Sequence, residues 1–166
     1  MVFLPNFWGA LFYGACFMIN YSVLKYFFFF TLFFLVISDS SLAANTISVS
    51  ASVANIRSGP GTKYDVLWQV EKYHPLKKIK EQGSWYYFQD FEGDKGWVHK
   101  KLVGKIKSVI TIKKTCNVRS GPGKKFKVLF TVEKGIPFKI LNRKGGWINI
   151  QHSDGDKGWI YKTLVW

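Results

Sequence analysis

The sequence predicts an all-β protein of two small barrels in tandem behind an N-terminal hydrophobic segment. The first observation is an internal repeat: a shift of 62 residues aligns residues 55–103 with residues 117–165 without a gap, and 25 of these 49 positions are identical. The second is a pattern of short β-rich runs between Gly, Pro and charged residues, with no helical period of useful length. The third is size, because a repeat of roughly 57 residues buries its own core most readily as a compact barrel.

Residues 1–43 have the pattern of a secretory signal. The run YFFFFTLFFLVIS at residues 26–38 has no charge, and its 13 residues are short for a membrane span but suit the apolar core of a signal. Lys25 is the positive flank, and Ser41 and Ala43 are small residues of the kind that signal peptidase reads. We therefore expect a signal peptide over residues 1–43 and cleavage after Ala43.

Two alternatives stay open for this segment. Translation from Met18 would leave MINYSVLK as a basic flank of ordinary length, so residues 1–17 are either an over-long start or a real extension. If the segment is kept, residues 7–38 would hold an anchor in the inner membrane. We expect a periplasmic or secreted protein, with the anchored form as the alternative.

Within each copy, turns are predicted as strongly as strands. The phrase SGPG, at residues 58–61 and 120–123, puts Pro and then Gly at the central positions of a type II turn, whose second position needs positive φ. GDKG, at residues 93–96 and 155–158, is a second tight reversal that leads into a strand. The expected strands of the first copy are residues 66–72, 76–82 and 85–91.

Comparison of the copies separates the two faces of one strand. Two alternate positions are apolar in both copies and are expected to face the core: Tyr86 and Phe88 in the first, Ile148 and Ile150 in the second. Trp85 and Trp147 then lie on the outer face. An indole at this place either lines a groove or covers the edge of a barrel, and both interpretations stay open.

The domains are expected over residues 47–104 and 109–166. The connection GKIKSVITIKKT is β-branched and basic, whereas a flexible tether is rich in Gly and Ser. Residues 109–112 are expected to be the first strand of the second barrel. Few residues are then free, which predicts a fixed mutual orientation of the two barrels.

The charge favours anionic partners. Residues 44–166 carry the whole net charge of +14, because Lys25 and Asp39 cancel in the expected signal. Wall polymers, lipid headgroups and acidic proteins fit such a balance, whereas export disfavours nucleic acid. The alternative is compositional, since scattered Lys and abundant Phe are also typical of an AT-rich genome.

Two of the three Arg residues stand at the same repeat position, Arg57 and Arg119, in a chain that otherwise uses Lys. This pattern indicates a need for the planar guanidinium fork, which an ammonium cannot replace. The guanidinium either pins the SGPG turn or contacts an anion.

The repeated phrases together resemble a known family. Asn-(Ile/Val)-Arg-Ser-Gly-Pro-Gly, a following aromatic residue, a single Trp and then Gly-Trp-(Val/Ile) resemble the bacterial SH3-like domain over nearly all of residues 47–166. The tandem form is similar to exported SH3-like proteins of alphaproteobacteria. The resemblance implies a small, partly open SH3-like β-barrel used for targeting or binding, with peptidoglycan peptides as its ligand class.

We accordingly expect a non-catalytic, monomeric binding module that contacts peptidoglycan peptides or another anionic envelope component. The alternatives are an adaptor that docks an envelope protein, and a membrane-anchored protein whose basic barrels lie on anionic headgroups. The candidate binding residues are Arg57, Tyr64, Trp85, Trp97, Arg119, Phe126, Trp147 and Trp159.

No catalytic constellation is expected, and neither a metal nor a cofactor. The three His residues, His74, His99 and His152, each stand opposite a different residue type in the other copy. Cys116, the one cysteine after residue 43, answers to Ala54 and is expected to be a small buried residue that can form no internal disulfide. Asp94 and Asp156 recur in the GDKG turns, where their expected role is side-chain bonding to the turn backbone.

Overall fold

The computed structural model describes residues 45–166. The expected signal over residues 1–43, the start at Met18 and the alternative anchor at residues 7–38 therefore lie outside the described residues. Over residues 45–166 the chain is all-β, with two antiparallel sheets and short 3-10 turns, so the predicted fold class is confirmed. No helix in this range is long and apolar enough to cross a membrane.

The first sheet has seven strands in the order β3-β2-β6-β5-β4-β1-β7. A 3-10 helix at Lys100–Leu102 leads into its last strand. The strands predicted at residues 66–72, 76–82 and 85–91 correspond to the third, fourth and fifth of these. The bounds are β1 (Thr46–Val49), β2 (Val53–Arg57), β3 (Val66–Glu71), β4 (Pro75–Gln82), β5 (Trp85–Gln89), β6 (Lys95–His99) and β7 (Val103–Gly104).

The second sheet repeats this order as β10-β9-β13-β12-β11-β8. The strand that comes first along the chain, β8, contains two of the four residues of the strand predicted at 109–112. A bridge between Thr111 and Val165 stands where β1 pairs with β7 in the first sheet. A 3-10 helix at Lys162–Leu164 precedes that bridge. The bounds are β8 (Ser108–Ile110), β9 (Cys116–Arg119), β10 (Val128–Val132), β11 (Pro137–Lys144), β12 (Trp147–Gln151) and β13 (Lys157–Tyr161).

Each sheet encloses its own core. In the first sheet, buried side chains from six different strands meet in one cluster, so the sheet closes on itself as a small barrel. The largest fully buried side chain of this first barrel is Phe88 on β5, whereas in the second barrel it is Phe138 on β11. Their repeat counterparts are Ile150 and Leu76, which are also fully buried. The aromatic ring has therefore moved to the neighbouring strand while the paired volume is nearly kept.

Cys116 is fully buried, as its counterpart Ala54 is, which confirms the expected small core position. Burial raises the pKa of the Cys116 thiol, and a neutral thiol is a poor nucleophile. The predicted strand faces are also correct: Phe88, Ile148 and Ile150 are buried and Tyr86 packs against the first core.

The SGPG phrases do not form the predicted type II turns. Neither Gly61 nor Gly123 has positive φ, and the amide of Gly61 instead donates to the carbonyl oxygen of Gly59 at 2.9 Å. Glycine is required for a different reason, because a Cβ on Gly59 would overlap the ring of Tyr64, which folds back over the loop. Gly121 lies under Phe126 in the same way in the second copy.

The GDKG turns do need positive φ, which is +96° at Gly93 and +107° at Gly155. The carboxylate that bonds the turn backbone, however, is not the predicted Asp94. It is Asp90, whose Oδ1 accepts the amides of Glu92 and Asp94, each at 2.9 Å. A carboxylate ahead of a turn reaches the amides two and four residues on, whereas the side chain of Asp94 is exposed.

The second GDKG turn corrects the prediction for Asp156 in the same way. Its amide donates to Oδ1 of Asp154 at 3.0 Å, so the bonding carboxylate again precedes the predicted one. This hydrogen bond, followed by the one from His152, lowers the pKa of the Asp154 carboxyl.

Direct contacts join the two barrels. The hydroxyl of Ser48 on β1 donates to the carbonyl oxygen of Ile106 at 2.7 Å and lies 2.6 Å from the hydroxyl of Ser108. On the other side, the ammonium of Lys134 pairs with Glu92 at 2.6 Å. The bonds of Ser48 hold the connection against the first barrel, and the Lys134 pair joins the turn before β11 to it, while a fixed mutual orientation stays a prediction.

Candidate functional site

Strand pairing places several predicted binding residues on one outer face of the first barrel. Arg57 on β2 pairs with Trp97 on β6, and Trp97 pairs with Tyr87 on β5. Two residues further along the same pair of strands, and so on the same face, Trp85 pairs with His99, and the two rings meet edge to face with centroids 5.0 Å apart. Because neighbouring strands keep their side chains in register, residues far apart in the chain become neighbours.

The second barrel repeats this face with different chemistry. Arg119 pairs with Trp159, and Trp159 with Asn149, where the first barrel has Tyr87. Trp147 pairs with Tyr161, and these rings also meet edge to face, 5.3 Å apart.

Both Arg residues pin their loops, as the first of the two interpretations predicts. Nη1 of Arg57 donates to the carbonyl oxygens of Thr62 at 3.1 Å and Tyr64 at 2.7 Å. Nη1 of Arg119 donates to the carbonyl oxygen of Phe126 at 2.9 Å. A guanidinium has five N–H donors, so a pin made by Nη1 leaves donors for a ligand.

Tyr64 and Phe126 cover their loops and keep about a third of their surface exposed, 38% and 36%. A lysine ammonium lies over each ring, Lys63 at 5.5 Å and Lys125 at 5.7 Å from the centroids. One side of each ring therefore packs on the loop, and a ligand could contact only the surface that the loop and the lysine leave exposed.

Trp97 offers little surface, because it is only 7% exposed. Its ring packs on Tyr87 at 5.1 Å, and the ammonium of Lys80 lies within 5.4 Å of both ring centroids. In the second barrel the corresponding Trp159 is half-buried. The two faces have therefore diverged, although the backbone pairing is the same.

A groove of about 390 Å³ lies on the second barrel, and we call it the second-barrel groove. It brings together Arg119 and Trp147 of the predicted set, whereas Phe126 and Trp159 do not line it. Of the two interpretations for the outer Trp, Trp147 thus lies in a groove; binding there stays a prediction. The lining residues are Thr115, Asn117, Arg119, Lys124, Trp147, Tyr161, Thr163 and Leu164.

Sequence comparison of the copies missed Lys124 and Tyr161 as members of this groove. Both differ from their counterparts, Thr62 and His99, so positions shared by the two copies do not include them. The signal for Tyr161 was its register opposite Trp147, which follows once the last two strands are paired. Lys124 lies in a loop, and only the folded chain shows it near Arg119.

The corresponding face of the first barrel has different charges. Thr62 replaces Lys124, and its carbonyl oxygen is already bonded by Arg57. Nδ1 of His99 accepts the amide of Lys101 at 3.2 Å. The second barrel is therefore the better candidate for an anionic group. Within residues 45–166 no cluster of three or more His, Cys, Asp or Glu side chains could hold a metal ion.

Comparison with known proteins identifies both repeats. Residues 52–104 and residues 113–166 each match a family model described as a bacterial SH3 domain. The second match begins within the last residues of the connection, and the first ends with β7.

Two curated relatives share part of their length with this chain. The putative N-acetylmuramoyl-L-alanine amidase YrvJ of Bacillus subtilis (strain 168) is 28% identical over 139 residues, which cover 77% of this chain and 27% of YrvJ. The probable cell wall amidase LytH of Staphylococcus epidermidis is 42% identical over 52 residues, which cover 31% of this chain and 18% of LytH. The chain thus spans only a minor part of either relative.

Among solved structures, an NlpC/P60 family protein from Bacillus cereus is similar at 14% identity and a TM-score of 0.35. The similarity covers 73% of this chain and 55% of that protein.

Proposed function

Because the chain carries two bacterial SH3 domains in tandem, we propose that it is a non-catalytic binding module of the cell envelope. Its ligand is the carboxylate-bearing peptide of the cell wall, and its principal contact is the second-barrel groove. The observation that carries this proposal is the meeting of Arg119, Lys124 and Trp147 in one groove.

The relatives support a place at the cell wall. Both are named as amidases, one of them as a cell wall amidase, and they share sequence with the chain over 27% and 18% of their own lengths. Because the shared segment is only a minor part of each relative, it supports a common contact with the cell wall more than a common enzymatic reaction. We therefore propose binding without hydrolysis, in the periplasm or outside the cell, with an anchored form as the alternative.

The charges of the groove suit a carboxylate. Arg119 keeps donors beyond the one that bonds Phe126, and the ammonium of Lys124 is exposed beside it. A charge-assisted hydrogen bond to a carboxylate contributes about 1.5–3 kcal/mol, and two cations around one anion fix its position as well.

The aromatic residues of the groove suit the rest of a peptide. Trp147 and Tyr161 stand edge to face and present a half-exposed apolar wall beside the two cations. Such a wall can stack on a peptide bond or an alkyl side chain, while Asn117 and Thr163 offer hydrogen bonds at the rim. Wall peptides combine these features.

The test compares two lysine variants of equal charge. Lys124→Thr gives the groove the residue that the first barrel has, and Lys139→Thr makes the same change on β11 outside the groove. Both residues are exposed, so both variants are expected to fold, which a thermal melt checks. We expect Lys124→Thr to lower the affinity for purified sacculi about tenfold and Lys139→Thr to change it little.

Three results would contradict the proposal. One is equal retention of the two variants, and another is no retention of the wild-type protein. In the second case, crosslinking in intact cells that recovers one stoichiometric protein would support the adaptor instead. The third is release of soluble muropeptides by the purified protein, which would show an enzyme.

A further inference from the structure

A second cavity, of about 430 Å³, lies between the two barrels, and we call it the inter-barrel cavity. Most of its wall comes from the first barrel, and the turn before β11, at Gly135 and Ile136, closes it from the second. It shares no lining residue with the second-barrel groove. A ligand there would touch both domains at once.

The charge of this cavity is opposite to that of the chain. Four of the nine carboxylates in residues 45–166 line it, and no Lys or Arg does. The composition of so basic a protein does not by itself explain why carboxylate side chains cluster here. The four residues are Glu71, Asp90, Glu92 and Asp94.

Two of these carboxylates have partners within the protein. Asp90 accepts two turn amides, and Glu92 pairs with Lys134. Glu71 and Asp94 are exposed, and neither forms an ion pair within the described part of the chain. The cavity therefore offers two free negative charges to a cation.

His74 supplies an independent observation. It lines the cavity and is only 8% exposed, yet its buried Nε2 has no hydrogen-bond partner within residues 45–166. The barrel does not need an imidazole here, because the counterpart in the second copy is Ile136. Burial lowers the pKa of His74, and the nearby carboxylates of Asp90 and Glu92 only partly oppose this. A neutral imidazole has one nitrogen that accepts a hydrogen bond.

Apolar side chains complete the wall. Trp68 and Phe91 from the first barrel and Ile136 and Pro137 from the second line the same cavity. Phe91 packs against His74 with ring centroids 5.9 Å apart. Such a wall suits an alkyl chain behind a charged head.

We propose that the inter-barrel cavity binds a primary ammonium group on a short alkyl chain, such as the side-chain amine of a peptide. Glu71 and Asp94 are its charge partners, and Nε2 of His74, which is closed to solvent in this structure, accepts one of its N–H groups when the ring turns toward the cavity. The apolar wall holds the alkyl chain. The inference does not rest on the second-barrel groove, and each can fail alone.

The test uses two small probes that differ only at the head. Nα-acetyl-lysine N-methylamide carries the ammonium, and Nα-acetyl-norleucine N-methylamide ends in a methyl group. Binding is followed on the full protein by calorimetry and by the NMR signal of the Trp68 indole N–H. We expect the lysine probe to shift this signal and to bind at least about tenfold more tightly than the norleucine probe.

The repeat supplies matched controls. Glu71→Gln with Asp94→Asn removes the two free charges, whereas Glu133→Gln with Asp156→Asn makes the same change at the counterparts, which do not line the cavity. We expect about tenfold weaker binding only in the first pair. His74→Ile, which installs the residue of the second copy, is expected to weaken binding and to leave the fold intact.

Failure of this inference can be distinguished from failure of the proposed function. Lys124→Thr is expected to leave binding of the lysine probe unchanged. Equal affinity for the two probes, no binding of either, or equal effects of the two double variants would overturn the inference.

Discussion

Arg57 donates a hydrogen bond from Nη1 to the carbonyl oxygen of Tyr64 at 2.7 Å, seven residues further along the chain. The same atom also bonds the carbonyl oxygen of Thr62, so the side chain closes the SGPG loop across its open side. Arg119 repeats the bond with Phe126. The guanidinium closes this loop in both copies, which explains why the position is Arg twice in a lysine-rich chain.

We expect Arg57→Lys to lower the free energy of unfolding of the first domain by about 1 kcal/mol, because an ammonium cannot reach both carbonyl oxygens in the guanidinium geometry. Arg119→Lys is expected to cost less, since Arg119 makes one of these bonds where Arg57 makes two. Denaturant unfolding of both variants measures this order. Equal stability of Arg57→Lys and wild type would show that the bonds contribute nothing.

We expect Gly59→Ala to destabilise the first domain by about 1–3 kcal/mol, because the added Cβ overlaps the ring of Tyr64. The strain depends on the ring and not on backbone φ. In the background of Tyr64→Ala, the same Gly59→Ala change should therefore cost much less. A double-mutant cycle measures this coupling, and additive effects would point to a backbone requirement instead.

The large aromatic ring lies on β5 in the first core and on β11, the counterpart of β4, in the second core. Two substitutions that move the ring from β5 to β4 in the first core are therefore expected to compensate each other. Leu76→Phe overfills the first core and Phe88→Ile leaves a cavity, each at about 1–3 kcal/mol. Together they reproduce the second core, where Phe138 and Ile150 are fully buried. We expect the double variant to be more stable than the sum of the single effects implies, as measured by thermal unfolding. Strict additivity would show that the two positions do not share one space.

Burial of His74 predicts a loss of stability in mild acid. Burial lowers its pKa in the folded chain below the ordinary value of about 6.5, so the unfolded chain binds the proton at a higher pH. The contribution of the neutral, buried ring is therefore full above about pH 6.5 and is lost as the pH falls through the lowered pKa. We expect His74→Ile to show a smaller fall in melting temperature between pH 7 and pH 5 than wild type. An identical fall in both proteins would contradict this.

Much of the fold was predictable because its signals are local. Short β-rich runs located β3, β4 and β5 within two residues at each end, and the tight GDKG reversals were predicted at the places where Gly93 and Gly155 have positive φ. The SGPG turn was predicted wrongly because the need for Gly59 comes from a ring five residues away, and turn propensities do not include such a contact.

The candidate sites were less predictable. Arg119 and Trp147 were recognised because they recur in both copies, whereas Lys124 and Tyr161 were missed because they do not. A copy that has acquired a binding role is expected to differ from its twin at such positions. Comparison of two copies therefore finds shared architecture more readily than individual function.

By itself the sequence determined that this protein is two all-β domains, because a duplicated pattern of alternation and turns has one physical solution at this size. Only the tertiary structure decided which residues of the two barrels meet. Glu71 and Ile136 share a cavity although 65 residues separate them, and their proximity depends on how one barrel contacts the next. Such distances depend on packing between the barrels, and local residue preferences carry no information about it.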